Sequence, residues 1–340
     1  MTLQMRPVDR QAAAAKLAQL GFPSLKFEPW RYSPIAKYAD RDWGADAEGT
    51  SALSTLVIDQ NAEQNAFIQM NLARAAAVHG EVREGVLVQK VDQQHQHLAV
   101  EVAAGETKLV VQHYDAQAAP STDMFEATVG EGGKLVRLQL RRNLGVHVGH
   151  TAVEIAKDAN FTNIDVCFGG ELARNELQVK LADTGATCDL LGTYLLKDSE
   201  HADTISYIDH AAPDTLSREV YKGVVTDNAH GVFQGQIHVA PDSQRIEGHQ
   251  LSRGLILSDS ARIDVKPELE IFADDVVCSH GATIGDLDEG QLFYLRARGI
   301  DQTTARGMLI KAFVAEIIEE IPEAMADQEQ LLAEVERWLN

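Results

Sequence analysis

Residues 223–285 read GVVTDNAHGVFQGQIHVAPDSQRIEGHQLSRGLILSDSARIDVKPELEIFADDVVCSHGATIG, a run of short alternating segments broken by Gly, Asp and Asn. Helices bury a stripe at period 3.6 and strands bury a face at period two, and this run has almost no helical periodicity, so it must be built of strands. Taking Ile263, Ile271, Val277 and Ile284 as inward positions gives gaps of eight, six and seven residues. Such recurrence suits a coiled solenoid, in which each short strand stacks on the one a full turn earlier and the inward residues form a continuous core. An antiparallel sandwich is the competing architecture, since it too gives many short strands, spaced by roughly 8–12 residues. The tighter spacing here favours the solenoid.

The same pattern reaches back to about Thr55, through TLVID, GVLVQKV, HLAVEVA, TKLVVQHY, FEATVG and KLVRLQL. Each is strand-like by its period of two and its β-branching. Before it, Asp9 is placed to cap a short helix through Ala12 to Leu20, with Gly21 supplying the left-handed residue after its end. The stretch FPSLKFEPWRYSPI follows. Its three prolines oppose regular structure, while Phe27, Trp30 and Tyr32 offer aromatic area, so it reads as an ordered, extended arm.

After residue 285 the period changes. Asp288 can cap a helix through Leu292 and Leu295 that ends at Gly299. Asp301 can cap a longer one with an apolar stripe at Ala305, Met308, Leu309, Ala312, Phe313, Ile317 and Ile321. Asp327 with Gln330 starts a last helix carrying Leu331, Leu332, Val335, Trp338 and Leu339. The expected organisation is an N-terminal helix, arm and first strands over 1–80, a solenoid over 81–285 and a helical module over 286–340. That module reads either as a cap over the open last turn or as a surface for a partner.

Composition narrows the function classes. At 45% hydrophobic residues the chain can bury a core, and 51 acidic against 30 basic residues leave a net charge of −21. Such a surplus repels phosphate backbones and anionic lipid, which argues against nucleic acid and membrane partners. The opening stretch MTLQMRPVDRQAAAAKLAQLGF has no apolar core of signal-peptide type, so a cytoplasmic location is expected. Three separated cysteines, Cys167, Cys188 and Cys278, with no CxxC pair, argue against a disulfide framework and a closed structural zinc site.

Self-contained chemistries fail one by one. GEGGKL at 130–135 lacks the hydroxyl residue and spacing of a phosphate loop and reads as a hairpin turn. In NLGVHVGH the histidines at 147 and 150 fall on opposite strand faces, which spoils them as a chelating pair, and an exposed role is expected. His95 and His97 share a face among Gln and Asp and read as solvated. The motifs GxSxG, HExxH and GxGxxG are absent. A polysaccharide-active solenoid enzyme would need paired carboxylates along one face, which adjacent Asp274 and Asp275 do not provide. There remains VVCSHGATIG, where Cys278 and His280 stand two apart and so point to one side of a strand. They are either a reactive pair or, as in a purely structural interaction protein, two core residues.

The run KPELEIFADDVVCSHGATIGDLDEGQLFYLRARGI closely resembles the C-terminal hallmark of the SufB/SufD family of scaffold proteins in the SUF iron-sulfur cluster assembly system. GVVTDNAHGVFQGQIHV resembles the strand segment common to that family, and EPWRYSP its aromatic N-terminal arm. CSH followed by GAT is the SufD form, where SufB has a His-Glu pair. The resemblance implies a mainly β protein, a right-handed parallel β-helix with a short N-terminal helical and extended segment and C-terminal helices. It implies pairing with SufB through the β-helices, a copy of the ATPase SufC held by the C-terminal helices, and no hydrolysis by this chain itself. Candidate SufC-docking residues are then Leu292, Tyr294, Leu295, Arg298, Met308 and Phe313. Cys278 and His280 become this chain's share of a transient iron or iron-sulfur site shared with SufB, with nothing tightly bound to the isolated chain, which could also pair with itself.

Overall fold

The computed structural model describes residues 6–7, 9–23, 28–33, 35–45, 54–55, 65–77, 81–115 and 119–339. Its body is a parallel β-solenoid of about seven turns. The strands are β1 (Val86–Val91), β2 (His95–Val102), β3 (Thr107–Tyr114), β4 (Ser121–Val129), β5 (Lys134–Ile155), β6 (Asn160–Leu181), β7 (Thr187–Leu196), β8 (His201–His210), β9 (Leu216–Val225), β10 (His230–Val239), β11 (Ile246–Ile256), β12 (Arg262–Ile271) and β13 (Val276–Gly285). One sheet stacks β1, β3, β5, β6, β7, β9, β11 and β13 in parallel. The second stacks β2, β4, β5, β6, β8, β10 and β12. β5 and β6 run through both sheets, turning the corner at Asn143 and Gly169, both with positive φ.

Register partners lie one full turn apart: Val86 pairs with Leu109, 23 residues on, and His230 with Arg262, 32 residues on. The gaps of six to eight seen in the sequence are therefore distances along one turn, and they mix two sheets. Of the four positions expected inside, only Ile263 is buried. Ile271 and Ile284 have lumen parity, as their partners Val239 and Gly254 show, but no further turn covers them. Val277 points outward instead, beside exposed Glu247.

The lumen is filled by Phe125, Phe161, Leu190, Ile208, Tyr221 and Phe233 among others. Each such side chain contributes roughly 1.5–3 kcal/mol by leaving water. Stacking aromatics on successive turns needs glycine beneath them: a Cβ on Gly192 would stand 2.3 Å from the ring of Tyr221, and one on Gly223 would stand 2.1 Å from Tyr194. GEGGKL, expected as a hairpin, is a solenoid corner with Gly132 at φ 64°, because β4 pairs in parallel with the second half of β5.

Helices α1 (Arg10–Leu20), α2 (Ala66–Arg74), α3 (Glu289–Ala297), α4 (Gln302–Ile318) and α5 (Gln328–Leu339) flank the coil. Asp9, Asp288 and Asp301 cap α1, α3 and α4 as their positions suggest. The α4 stripe is rotated from the expected one: Ala305, Ile310, Val314, Ile317 and Ile318 are buried, while Met308 is 46% exposed. With α5 it covers the outer side of the first sheet, against Leu138, Ile164, Leu191 and Val224. α4 and α5 therefore lie along the flank of the coil. Strands buried on both faces read as continuous apolar runs, and the outward column Leu138, Ile164, Leu191, Val220 supplies the ground α4 needs.

On the second sheet the N-terminal arm and α2 bury Trp30, Ile35, Tyr38, Trp43, Phe67 and Met70 against Val146, Val148 and Leu172. The arm is not wholly irregular, since Glu28–Trp30 and Ile35–Tyr38 form short 3-10 turns. The guanidinium of Arg174 sits 3.6 Å from the ring of Trp30. Phe27, and the strand expected at TLVID beyond Thr55, lie outside the described residues. This roof overturns the solvated reading of His95 and His97. Both are buried, His95 bonded to Thr122 and the Trp43 carbonyl, and His97 2.9 Å from Glu126. His147 and His150 point apart as expected but are buried too, one held by Ser121 and Asp123 and the other beside Glu176.

Candidate functional site at the open end of the solenoid

Among the described residues β13 pairs only with β11, and β12 only with β10, so the last turn presents two unpaired strand edges. Soluble proteins blunt such edges or cover them. Here the apolar side chains of Ile271, Phe272, Val277 and Ile284 are exposed beside them, with Val277 at 63%. An end that combines free backbone groups with apolar area is suited to a second solenoid or strand.

Cys278 and His280 sit on β13 with lumen parity, and the last turn places them at this mouth. Cys278 is half-buried and leans on the end cluster of Ile237, Val239 and Ile246. It faces Gly248, where a Cβ would meet its Sγ at 3.3 Å. Burial raises its thiol pKa. Cys167 and Cys188 are sealed in the coil, with burial pushing Cys167 up to about 12 and Cys188 well above its ordinary value. Of the three, Cys278 is thus the thiol within reach of a partner. His280 is exposed.

No group of three or more His, Cys, Asp or Glu side chains positioned to hold a metal ion occurs among the described residues. Cys278 and His280 stand there as two side chains of ligating type two residues apart on one strand. On the opposite side of the strand Ser279 bonds His249 at 2.8 Å.

Behind His280 lies a polar column that residue-by-residue inspection missed. Leu190, Glu219, Gln250 and His280 are register neighbours on β7, β9, β11 and β13. Glu219 and Gln250 are buried, and the Gln250 amide donates to a Glu219 carboxyl oxygen at 2.6 Å. Burial pushes the Glu219 carboxyl up to about 7, against the pull of the Gln250 hydrogen bond. The available signal was the offsets of 31 and 30 residues, visible only once the turn length is known.

The expected docking residues divide. Tyr294, Arg298 and Met308 are exposed, the guanidinium of Arg298 lying 4.4 Å over the Tyr294 ring. Leu292, Leu295 and Phe313 are half-buried, and the Phe313 ring lies 4.8 Å from the ammonium of buried Lys222. Phe293, which sequence reading left out, is 73% exposed.

A family model described as SUF system FeS cluster assembly, SufBD core domain, matches residues 86–313, which is the coil from its first strand to the middle of α4. The chain belongs to the SufBD family. It is 32% identical over 260 residues to the iron-sulfur cluster assembly protein SufD of Escherichia coli, covering 75% of this chain and 61% of that protein. A SufBD family protein of Synechocystis is 37% identical over 199 residues, covering 58% of this chain and 44% of its own length. One from Mycobacterium tuberculosis is 31% identical over 256 residues, covering 72% and 63%. The chain thus spans less than two thirds of the length of these relatives. No helix among the described residues is long and apolar enough to cross a membrane.

Proposed function

We propose that this SufBD family chain is a noncatalytic scaffold subunit that pairs through its open last turn with a SufB-type subunit and builds nascent iron-sulfur clusters at that interface. The observation that carries the reading is the mouth itself: unpaired edges, exposed apolar area and the incomplete pair Cys278 and His280 in one turn. Iron or the growing cluster is cargo, held by ligands from two chains and released to recipients. His280 is the stronger ligand, since its ring is exposed to a partner, whereas the half-buried Cys278 must first lose a proton whose release burial opposes. A SufC-type ATPase docks on the C-terminal helices around Phe293, Tyr294, Arg298 and Met308, and its nucleotide cycle shifts the interface between two states.

The test is anaerobic co-expression with SufB and SufC followed by iron and sulfide analysis of the purified complex. His280→Ala is expected to leave folding and assembly intact while reducing cluster loading at least ten-fold, with Cys278→Ala milder. Normal loading in His280→Ala would return both residues to the structural class. The packing of Cys278 on Ile237, Val239 and Ile246 is the observation that favours that second reading, for the cysteine alone.

A further inference from the structure

The column behind His280 ends in an unmet hydrogen-bonding group. Gln250 is 3% exposed and its Nε2 donates to Glu219, while its Oε1 has no hydrogen-bond partner among the described residues. A buried amide oxygen without a donor loses the hydrogen bond it had in water, so it is expected to find one in the working assembly. In the arrangement seen, Glu219 takes the N–H end of the amide. With the N–H end on Glu219, the oxygen is the end of the amide left for a further donor. The residue of the turn after, beside Gln250 on the next strand, is His280. Gly235 on the facing sheet lies against Gln250, where a Cβ would stand 2.9 Å from its Nε2 and 2.8 Å from the ring of Phe233.

We propose that Gln250 is the positioning residue of the site: when a partner closes the mouth, its Oε1 accepts the N–H of one His280 ring nitrogen, which fixes the ring and its tautomer and presents the other nitrogen to iron. Glu219 acts one step behind, orienting the amide of Gln250. This inference rests on the reading of His280 as a ligand. Histidines that bind metal depend on such a partner for their orientation and basicity, and losing it typically weakens binding about 10- to 100-fold.

The experiment compares four full-length chains, each in complex with SufB and SufC: wild type, His280→Ala, Gln250→Leu and the exchanged pair Glu219→Gln with Gln250→Glu. Ferrous iron is titrated anaerobically, and the His280 tautomer is read from its ring 15N shifts, assigned by their loss in His280→Ala. Gln250→Leu keeps the side-chain volume but offers no acceptor, so iron affinity is expected to fall about 10- to 100-fold and the tautomer to lose its single form. The exchanged pair restores the pattern, with a donating amide at 219 and an oxygen facing His280, and affinity is expected to return to within about three-fold of wild type. A fall in His280→Ala with none in Gln250→Leu overturns the role of Gln250 and leaves the ligand reading standing. A fall in Gln250→Leu that the exchange fails to rescue, or that leaves the tautomer unchanged, reduces Gln250 to a packing role. Unchanged binding in His280→Ala removes the ligand reading and this inference with it. If Gln250→Leu does not fold, the exchanged pair decides alone, and a ten-fold loss in it overturns the proposal.

Discussion

The turn at β5 and β6 and the last turn at β12 and β13 both carry polar side chains on lumen positions, and they treat them in opposite ways. In the earlier turn Arg141 faces Asp165 one strand on and the two form a fully buried bidentate pair, with Nε to Oδ1 at 2.7 Å. Nearby, Arg137 is held by Gln112, Thr151 and the hydroxyl of Tyr114, while its guanidinium lies 4.1 Å from the ring of Phe125. Charge meets charge inside a coil closed by turns on either side. In the last turn the polar column runs out at an exposed histidine. The same architecture therefore seals charged side chains where another turn follows and leaves a histidine open to solvent where none does.

Breaking the sealed pair should have the largest effect. Arg141→Ala leaves the Asp165 carboxylate buried without its counter-charge, and breaking such a pair typically costs about 3–5 kcal/mol. The midpoint of urea unfolding is expected to fall accordingly, and replacing both residues with apolar ones of similar volume should recover most of it. A loss below about 1 kcal/mol in Arg141→Ala would mean that water reaches this turn.

The next effect separates the two ends by pH. Folded, Glu219 keeps its proton up to about 7, and unfolded it releases it near its ordinary value of 4.5. Between those values the native state binds more protons, so the contribution of Glu219 is fully present below pH 4.5 and is lost as pH rises through 7. The buried histidines run the other way. Burial holds His201 down to about 3 and His210 down to about 4, so their contribution is present above 6.5 and is lost as pH falls toward those values. Glu219→Gln should therefore flatten the decline in stability between about pH 4.5 and pH 7, a change on the order of 3 kcal/mol, and leave the acid limb set by the histidines. Parallel curves for wild type and variant would show that Glu219 ionises freely in the fold.

How much of this was legible in the sequence follows the same division. The strand character of 223–285 and the helix caps at Asp9, Asp288 and Asp301 are local properties, fixed by period two alternation and by side chains that reach their own backbone, and they stand in the structure. What lies a full turn away is not local. Val277 was read as inward because spacing along one turn imitates stacking between turns, and register shows it beside Glu247. His95 and His97 look solvated next to their Gln and Asp neighbours, since nothing nearby in sequence reveals that α2 and Trp43 roof them. Cys278 and His280 could be paired by their spacing of two, but Glu219 and Gln250 stand 61 and 30 residues from His280 and only the coil joins them.

The smallest expected effect on stability is at the mouth, and it tests the contrast most directly. Phe272 and Val277 are more than half exposed, so replacing either with Asp removes little buried area and adds a solvated charge. Stability should stay within about 0.5 kcal/mol of wild type, the usual range for surface substitutions. The same charge would be desolvated against an apolar partner once the mouth is covered, which costs several kcal/mol. Phe272→Asp with Val277→Asp is therefore expected to melt like wild type and to fail to co-elute with SufB in size-exclusion chromatography. A control with Tyr294→Asp on α3 should keep SufB and weaken SufC instead. Co-elution of the double variant with SufB would locate the partner surface elsewhere, and a large drop in melting temperature would show that the last turn is packed as tightly as the turn of Arg141.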